Sequence, residues 1–402
     1  MKRIIILTQY FPPEMGAPQS RLFETALALK KLGWEIVVIT AMPNYPTGKI
    51  FEGFRNKLFT SEEIDGIKIW RYFLYASNAK KVLPRVVSMF SFSLMVLFSV
   101  FKVRKFSPAY IITESPPLTL GLSGLILCKA CRAKQVLNVS DIWPLSAFEL
   151  GAISKGFVYS QLERLEKFLY INSFACTGQS QEIVDQLELK GSKHSLLFRN
   201  GVDSSRFFNS KNSSSIAIPK GKVRIVYAGL LGVAQGILSL CQNIDFDILN
   251  CEFHIYGQGA EKNEIEKYLT DNQTKGIFLH NSIPRDQVPA MLMQYDVTII
   301  PLIKPIFGAV PSKIYEAMAA GLPIIFSGGG EGARIIEEFE LGWTCAPSDF
   351  NDIRNVIAGI GSLDTVQLKK MKENAIHIAQ TVFDRNIQIG HLNTFLLNHL
   401  SK

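Results

Sequence analysis

The stretch PSKIYEAMAAG (311–321) sets a base and an acid at helical spacing, Lys313 and Glu316, behind Ser312. Pro311 and Ser312 suit a helix start, Ala317 to Ala320 propagate it, and Gly321 followed by Leu322 and Pro323 closes it. Such a start points unpaired backbone N–H groups at whatever lies before it, and Lys313 adds charge beside them, so the chemistry implied is anion binding. Glu316 lies one turn on from Ser312, on the same face. Glycines recur where a phosphate can be approached by backbone: Gly229, Gly232 and Gly236 in YAGLLGVAQG, Gly257 and Gly259 in YGQG, and Gly16 in PPEMGAPQSR. Asp141 in NVSDIWP follows a strand-like run and is placed to orient or deprotonate a hydroxyl, or to cap its loop.

These residues need a scaffold that gathers strand ends. RIIILTQYF, SRLFETALALKKLG and WEIVVIT read as strand, helix and strand, with the short apolar runs of a parallel sheet covered on both faces. AYIITESPP, KQVLNVSDIWP and SFACTGQS continue the pattern. After a Ser-rich linker near 209–215 it resumes in VRIVYAGLLG, CEFHIYGQG, KGIFLHNSIP, DVTIIPL and LPIIFSGGG. A chain of 402 residues exceeds one ordinary core, and the fold class expected is α/β, two doubly wound Rossmann-like domains facing a cleft. The boundaries expected are 1–200, 201–384 and a closing helix over 385–402 that returns to the first domain. The run Ile4 to Leu7 predicts a buried strand and not a signal peptide.

Several chemistries are excluded. Neither half holds a GxGxxG turn with an acid about twenty residues on, which argues against a nicotinamide enzyme. Asp245 and Asp247 imitate a metal pair but sit beside no glycine turn, and Cys128 and Cys131 have no second pair, so no metal site and no cofactor are expected. The cysteines read as reduced and the compartment as cytosolic. The net charge of +8 is concentrated: between Asp65 and Glu114 there is no acid, while Lys68, Arg71, Lys80, Lys81, Arg85, Lys102, Arg104 and Lys105 are basic. Within this zone VVSMFSFSLMVLFSVF (86–101) is uncharged. As a helix of about 24 Å it is short for a hydrocarbon core of roughly 30 Å, so segment 80–105 is expected to lie in one leaflet of an anionic membrane. The aliphatic residues between the bases argue against nucleic acid.

Taken in order, YFPPEMGAPQSRLFETALALKKLGWEIVVIT, NVSDIWP, RNGVDSSRF, YAGLLGVAQG, IYGQGAEKNEIEKY, HNSIPRDQVPAML and VPSKIYEAMAAGLPII resemble the retaining family-four nucleotide-sugar glycosyltransferases of GT-B fold. The branch resembled acts in bacterial O-antigen and capsule synthesis and includes N-acetyl-L-fucosamine transferases. The resemblance implies that Glu316 accepts hydrogen bonds from the donor ribose, an ionised carboxylate being acceptor-only. Ser312, Lys313, Gly229 and Gly232 then meet the diphosphate, the backbone of Ser282 and Ile283 lies near the base, and Gly257 and Gly16 line the donor side. Catalytic roles are expected for Lys313 and Asp141, and acceptor contacts for Arg21, Lys81 and Arg85. Four positions depart from the family, one of them Ser140, which stands before Asp141 where members often carry a histidine. Gly308 stands where many members carry a sugar-orienting glutamate, and Leu230 and Gln235 stand at the diphosphate in place of an arginine and a lysine. Lys313, then Arg199, then Arg21 are the cations expected to compensate. The reaction implied moves an N-acetylated deoxyhexose or hexosamine from a UDP-sugar to a polyprenyl-diphosphate-linked saccharide. It needs no metal, and it takes place on the inner face of the cytoplasmic membrane. The alternatives are a UDP-sugar epimerase of the same fold and a non-catalytic membrane-attached scaffold.

Overall fold

The computed structural model describes residues 2–14, 16–77, 82–208, 222–272, 275–360 and 365–400. The Ser-rich linker at 209–215 and Lys81 lie outside them, as does the side chain of Arg85. The chain forms two units, Met1–Arg199 together with Gln388–Lys402, and Asn200–Ile387.

In the first unit the strands are β1 (Arg3–Leu7), β2 (Glu35–Ala41), β3 (Phe59–Ile64), β4 (Ile67–Tyr72), β5 (Tyr110–Ser115), β6 (Lys134–Val139), β7 (Ala175–Gly178) and β8 (Ser195–Leu197). They join in the order β3-β4-β2-β1-β5-β6-β7-β8, parallel except for the antiparallel β3–β4 pair. Ile4, Ile6 and Val38 face one layer of helices while Ile5, Leu7, Val37 and Ile39 face the other, which is why these strands are apolar throughout. The last helix, Arg385–Asn398, completes the first core: Ile389, Leu392 and Leu396 pack with Ile4, Leu22 and Ala26. Polar ties hold it there. Trp34 Nε1 donates to Asn393 Oδ1 (2.7 Å), and Tyr110 Oη donates to the Leu396 carbonyl (2.8 Å).

The second unit holds β9 (Val223–Leu230), β10 (Cys251–Gln258), β11 (Ile277–His280), β12 (Val297–Pro301), β13 (Ile324–Ser327) and β14 (Gly342–Cys345), all parallel in the order β11-β10-β9-β12-β13-β14. The helix Ser312–Ala320 buries Ile314, Tyr315, Ala317, Met318 and Ala319 in one core, and Gly321 in the left-handed region (φ 69°) closes it. Both sheets are therefore α/β and doubly wound, the expected class.

The basic zone needs one correction. Arg71 is fully buried: its Nε donates to Glu62 Oε1 (2.6 Å), Nη1 to the Ala41 carbonyl (3.2 Å), and Nη2 to the Pro12 carbonyl. Burying a guanidinium demands such full pairing, and it withdraws this charge from any lipid surface.

Candidate active site

The second unit assembles its cluster at the strand ends. Lys313 projects from the first turn of the Ser312–Ala320 helix onto β9, where a Cβ added at Gly229 would lie 2.0 Å from Lys313 Cε. Its Nζ stands 5.3 Å from the centroid of the Tyr227 ring, and Tyr227 Oη donates to the Leu230 carbonyl (2.6 Å). The end of the lysine thus lies across Gly229, and a side chain there would push it aside. We expect Gly229→Ala to displace Lys313 and cost turnover about as much as removing the amine; kcat within about twofold of wild type refutes this packing. No side chain caps the helix, and of its first amides Ile314 N–H turns back to the Pro311 carbonyl (3.0 Å).

Glu316 stands half-buried on that helix. Burial pushes its pKa up, opposed by the charges of Lys313, Arg285 and Arg206 in that order. Arg206 Nη2 donates to the Arg285 carbonyl (2.6 Å), tying the short helix Ser205–Phe208 to the loop before Val288–Leu292. Burial lowers the pKa of Lys313, partly offset by Glu316. One carboxylate set among three cations can accept hydroxyls while the cations hold an anion. Arg206 and Arg285 were not anticipated as site residues, although they lie in the quoted segments RNGVDSSRF and HNSIPRDQVPAML; only the fold brings them to Glu316. Arg199, expected as a compensating cation, belongs to the first unit, its amide donating to Gln388 Oε1 (3.2 Å).

The other second-unit positions divide. Gly232 opens a short 3₁₀ turn, Val233–Gln235, and among the described residues the buried Gln235 Oε1 has no hydrogen-bond partner. Leu230 is exposed at the end of β9, just before this turn. Gly308 is buried with φ 72°, where a glutamate side chain would be strained, so the departure at this position is built into the backbone. Gly257 has a reason other than ligand approach. Paired with Gly229 across β9–β10, it would collide with the Gly229 carbonyl at 1.9 Å if it carried a Cβ. Ser282 and Ile283 follow β11, Ser282 exposed and Ile283 packed on the core. Beneath them His280 stacks on Tyr256 (centroids 4.3 Å apart), a rigid floor that went unnoticed in the sequence.

The first unit has its own polar cluster, at the ends of β5 and β6. Arg21 Nη2 donates to Glu114 Oε2 (3.0 Å) and Ser140 Oγ (3.1 Å), and Ser140 Oγ donates to Glu114 Oε2 (3.1 Å). Asn138 Nδ2 completes the other Glu114 oxygen, and Thr177 Oγ1 donates to Asn138 Oδ1 (2.5 Å). Asp141 follows directly: burial raises its pKa, with Arg21 opposing and Glu114 adding to the rise. Arg21, expected at the acceptor, has its guanidinium largely buried against Glu114. Gly16 caps the helix Ala17–Lys31, where a Cβ would meet Gln19 Oε1 at 2.3 Å; among the described residues that buried oxygen has no hydrogen-bond partner. Glu14 holds the preceding loop, accepting the amides of Phe11 (3.1 Å), Asn44 (2.7 Å) and Tyr45 (2.8 Å).

The two doubly wound units are those of the GT-B architecture. Over residues 208–378 the chain matches the family model described as Glycosyl transferases group 1. It is 27% identical to the probable glycosyltransferase WbjE of Pseudomonas aeruginosa over 64% of this chain and 67% of that one. It is 25% identical to WcaI of Escherichia coli, a putative colanic acid biosynthesis glycosyl transferase, over 79% and 81%. Among solved structures, sucrose-phosphate synthase from Thermosynechococcus elongatus superimposes with a TM-score of 0.75 at 18% identity, covering 99% of this chain and 100% of that one. The protein is a glycosyltransferase.

Proposed function

We propose that this enzyme transfers an N-acetylated deoxyhexose or hexosamine from a UDP-sugar to a polyprenyl-diphosphate-linked saccharide, with retention of anomeric configuration. The step belongs to bacterial surface polysaccharide (O-antigen or capsule) synthesis on the inner face of the cytoplasmic membrane. The observation that carries the reading is the Lys313–Gly229 contact with Glu316 one turn behind, facing Arg206 and Arg285. Glu316 accepts the ribose hydroxyls. Lys313 and the helix N–H groups take the diphosphate, with Ser312 and the Gly232 turn beside them.

As the bond from the anomeric carbon to the diphosphate oxygen breaks, negative charge grows on UDP, and Lys313 stabilises it more in the transition state than in the bound donor. The acceptor hydroxyl forms the new bond on the same face, and Asp141, whose burial raises its proton affinity, orients that hydroxyl or takes its proton. No metal or cofactor is assigned, because the cations of the site supply the leaving-group charge. The polysaccharide assignment is supported by the similarity to WcaI. The UDP assignment is supported by the shared fold with HepE of Anabaena, solved with UDP (TM-score 0.70, 15% identity, covering 99% of this chain and 100% of that one).

Calorimetric titration with UDP, UDP-GlcNAc and TDP in EDTA tests the reading. Metal-independent binding selective for UDP is expected. Binding of none of them would favour a non-catalytic scaffold, and turnover of a UDP-sugar without acceptor would favour an epimerase.

A further inference from the structure

Residues 86–106 have the length and mean hydropathy (2.0) to cross a membrane, and the fold shows what they do instead. The stretch is not one straight helix. It runs as Val82–Met95, a 3₁₀ turn Val96–Ser99, and Val100–Phe106. One stripe, Ser88, Phe92, Val96, Ser99 and Val103, is buried, and its apolar members pack on Ile5, Leu7, Val37 and Ile111 of the sheet. The Ser93 carbonyl accepts from Ser123 Oγ (2.7 Å), tying the stretch to the apolar helix Leu118–Cys131. A transmembrane course would strip these residues from the core of the first unit.

Among the described residues the opposite stripe has no such partner layer. Val86, Phe90, Leu94, Phe98 and Phe101 recur at steps of four and three, and exposure rises along them from 36% at Val86 to 75% at Phe98 and 77% at Phe101. The neighbouring helix adds exposed Leu122 and Ile126. Single exposed apolar residues are ordinary, but a row of large apolar residues this long marks a docking surface. The charge around it is of one sign. Lys102, Arg104, Lys105, Lys129 and Arg132 are exposed, and between Asp65 and Asp141 the only acid is Glu114, which is buried.

We propose that this face lies in the plane of an anionic lipid surface, with Leu94, Phe98 and Phe101 in the acyl boundary and the bases at the headgroups. A protein partner would need an acidic rim around an aromatic-accepting groove, whereas an anionic bilayer offers both features everywhere. The proposal stands on the geometry of the first unit and not on the nucleotide site, so the UDP titration and the lipid experiment fail independently.

The full chain is to be sedimented with vesicles of phosphatidylcholine alone and with phosphatidylglycerol added. Wild type is expected to bind the anionic vesicles, more weakly in high salt. Phe98→Ser with Phe101→Ser should weaken that binding by roughly tenfold or more at an unchanged melting temperature and UDP affinity. Lys105→Glu with Lys129→Glu should abolish the preference for anionic lipid. Val96 is unsuitable for this purpose, since it is fully buried and its substitution tests folding. Vesicle binding unaffected by the two serines would overturn the proposal. So would resistance of the bound protein to alkaline carbonate washing, which marks a span, or a lipid-free dimer that the serines dissolve in a chain that ignores vesicles.

Discussion

Lys313→Met is expected to leave the protein folded and able to bind UDP while slowing transfer by about a hundredfold or more, roughly 2.7 kcal/mol of transition-state stabilisation. Methionine keeps an unbranched stem to lie across Gly229, so the packing that a shorter residue would forfeit is retained and the change isolates the amine. The pH profile gives a second readout. Burial lowers the Lys313 pKa, so wild-type activity should decline with rising pH earlier than an ordinary lysine would dictate, and this alkaline limb should vanish in the methionine variant. On the acid side burial raises the Glu316 pKa, so donor affinity should fall as pH drops through a range above that of an ordinary carboxylate. The acid limb should survive in Lys313→Met and move upward, because the first cation holding the Glu316 pKa down is gone. A kcat within about twofold of wild type, or an unchanged alkaline limb, would transfer the leaving-group role to Arg206 or Arg285.

How far such features can be read in advance depends on how local they are. Glu316 sits four positions from Ser312 and three from Lys313 on one helix, spacings that bring it beside both, so this part of the arrangement was legible. The partners Arg206 and Arg285 arrive from segments 110 and 31 positions from Glu316, and no periodicity links them. The Arg21–Glu114 pair spans 93 positions, which is why Arg21 read as an available cation. Among strands, the buried apolar runs of β1, β2, β5, β9 and β12 announced themselves. The β3–β4 hairpin did not, although EEIDGIKI carries its signal: Ile64 pairs with Ile67 around Asp65 (φ 49°) and Gly66 (φ 71°), the turn that Asp-Gly favours. The apolar segment showed its membrane-suited composition in sequence, but composition does not say which stripe the sheet will claim.

Glu114→Ala is expected to destabilise the first unit by about 3–5 kcal/mol, because it leaves the Arg21 guanidinium buried without its counter-ion. It also strands Asn138 Nδ2 and Ser140 Oγ, both of which donate to that carboxylate. Thermal unfolding of the single variants should show large losses. Arg21→Met combined with Glu114→Met should cost less than either alone, since two charges leave together and the apolar pair keeps most of the volume. The same cycle separates support from chemistry. The Glu114 charge raises the Asp141 pKa and Arg21 lowers it, so a folded Glu114→Gln variant should titrate Asp141 at lower pH, moving the acid limb of turnover down without changing UDP affinity. Additive losses in the double variant would show that the pair is not coupled. An acid limb that stays put while stability falls would leave Glu114 as a structural residue alone and remove Asp141 from the proton step.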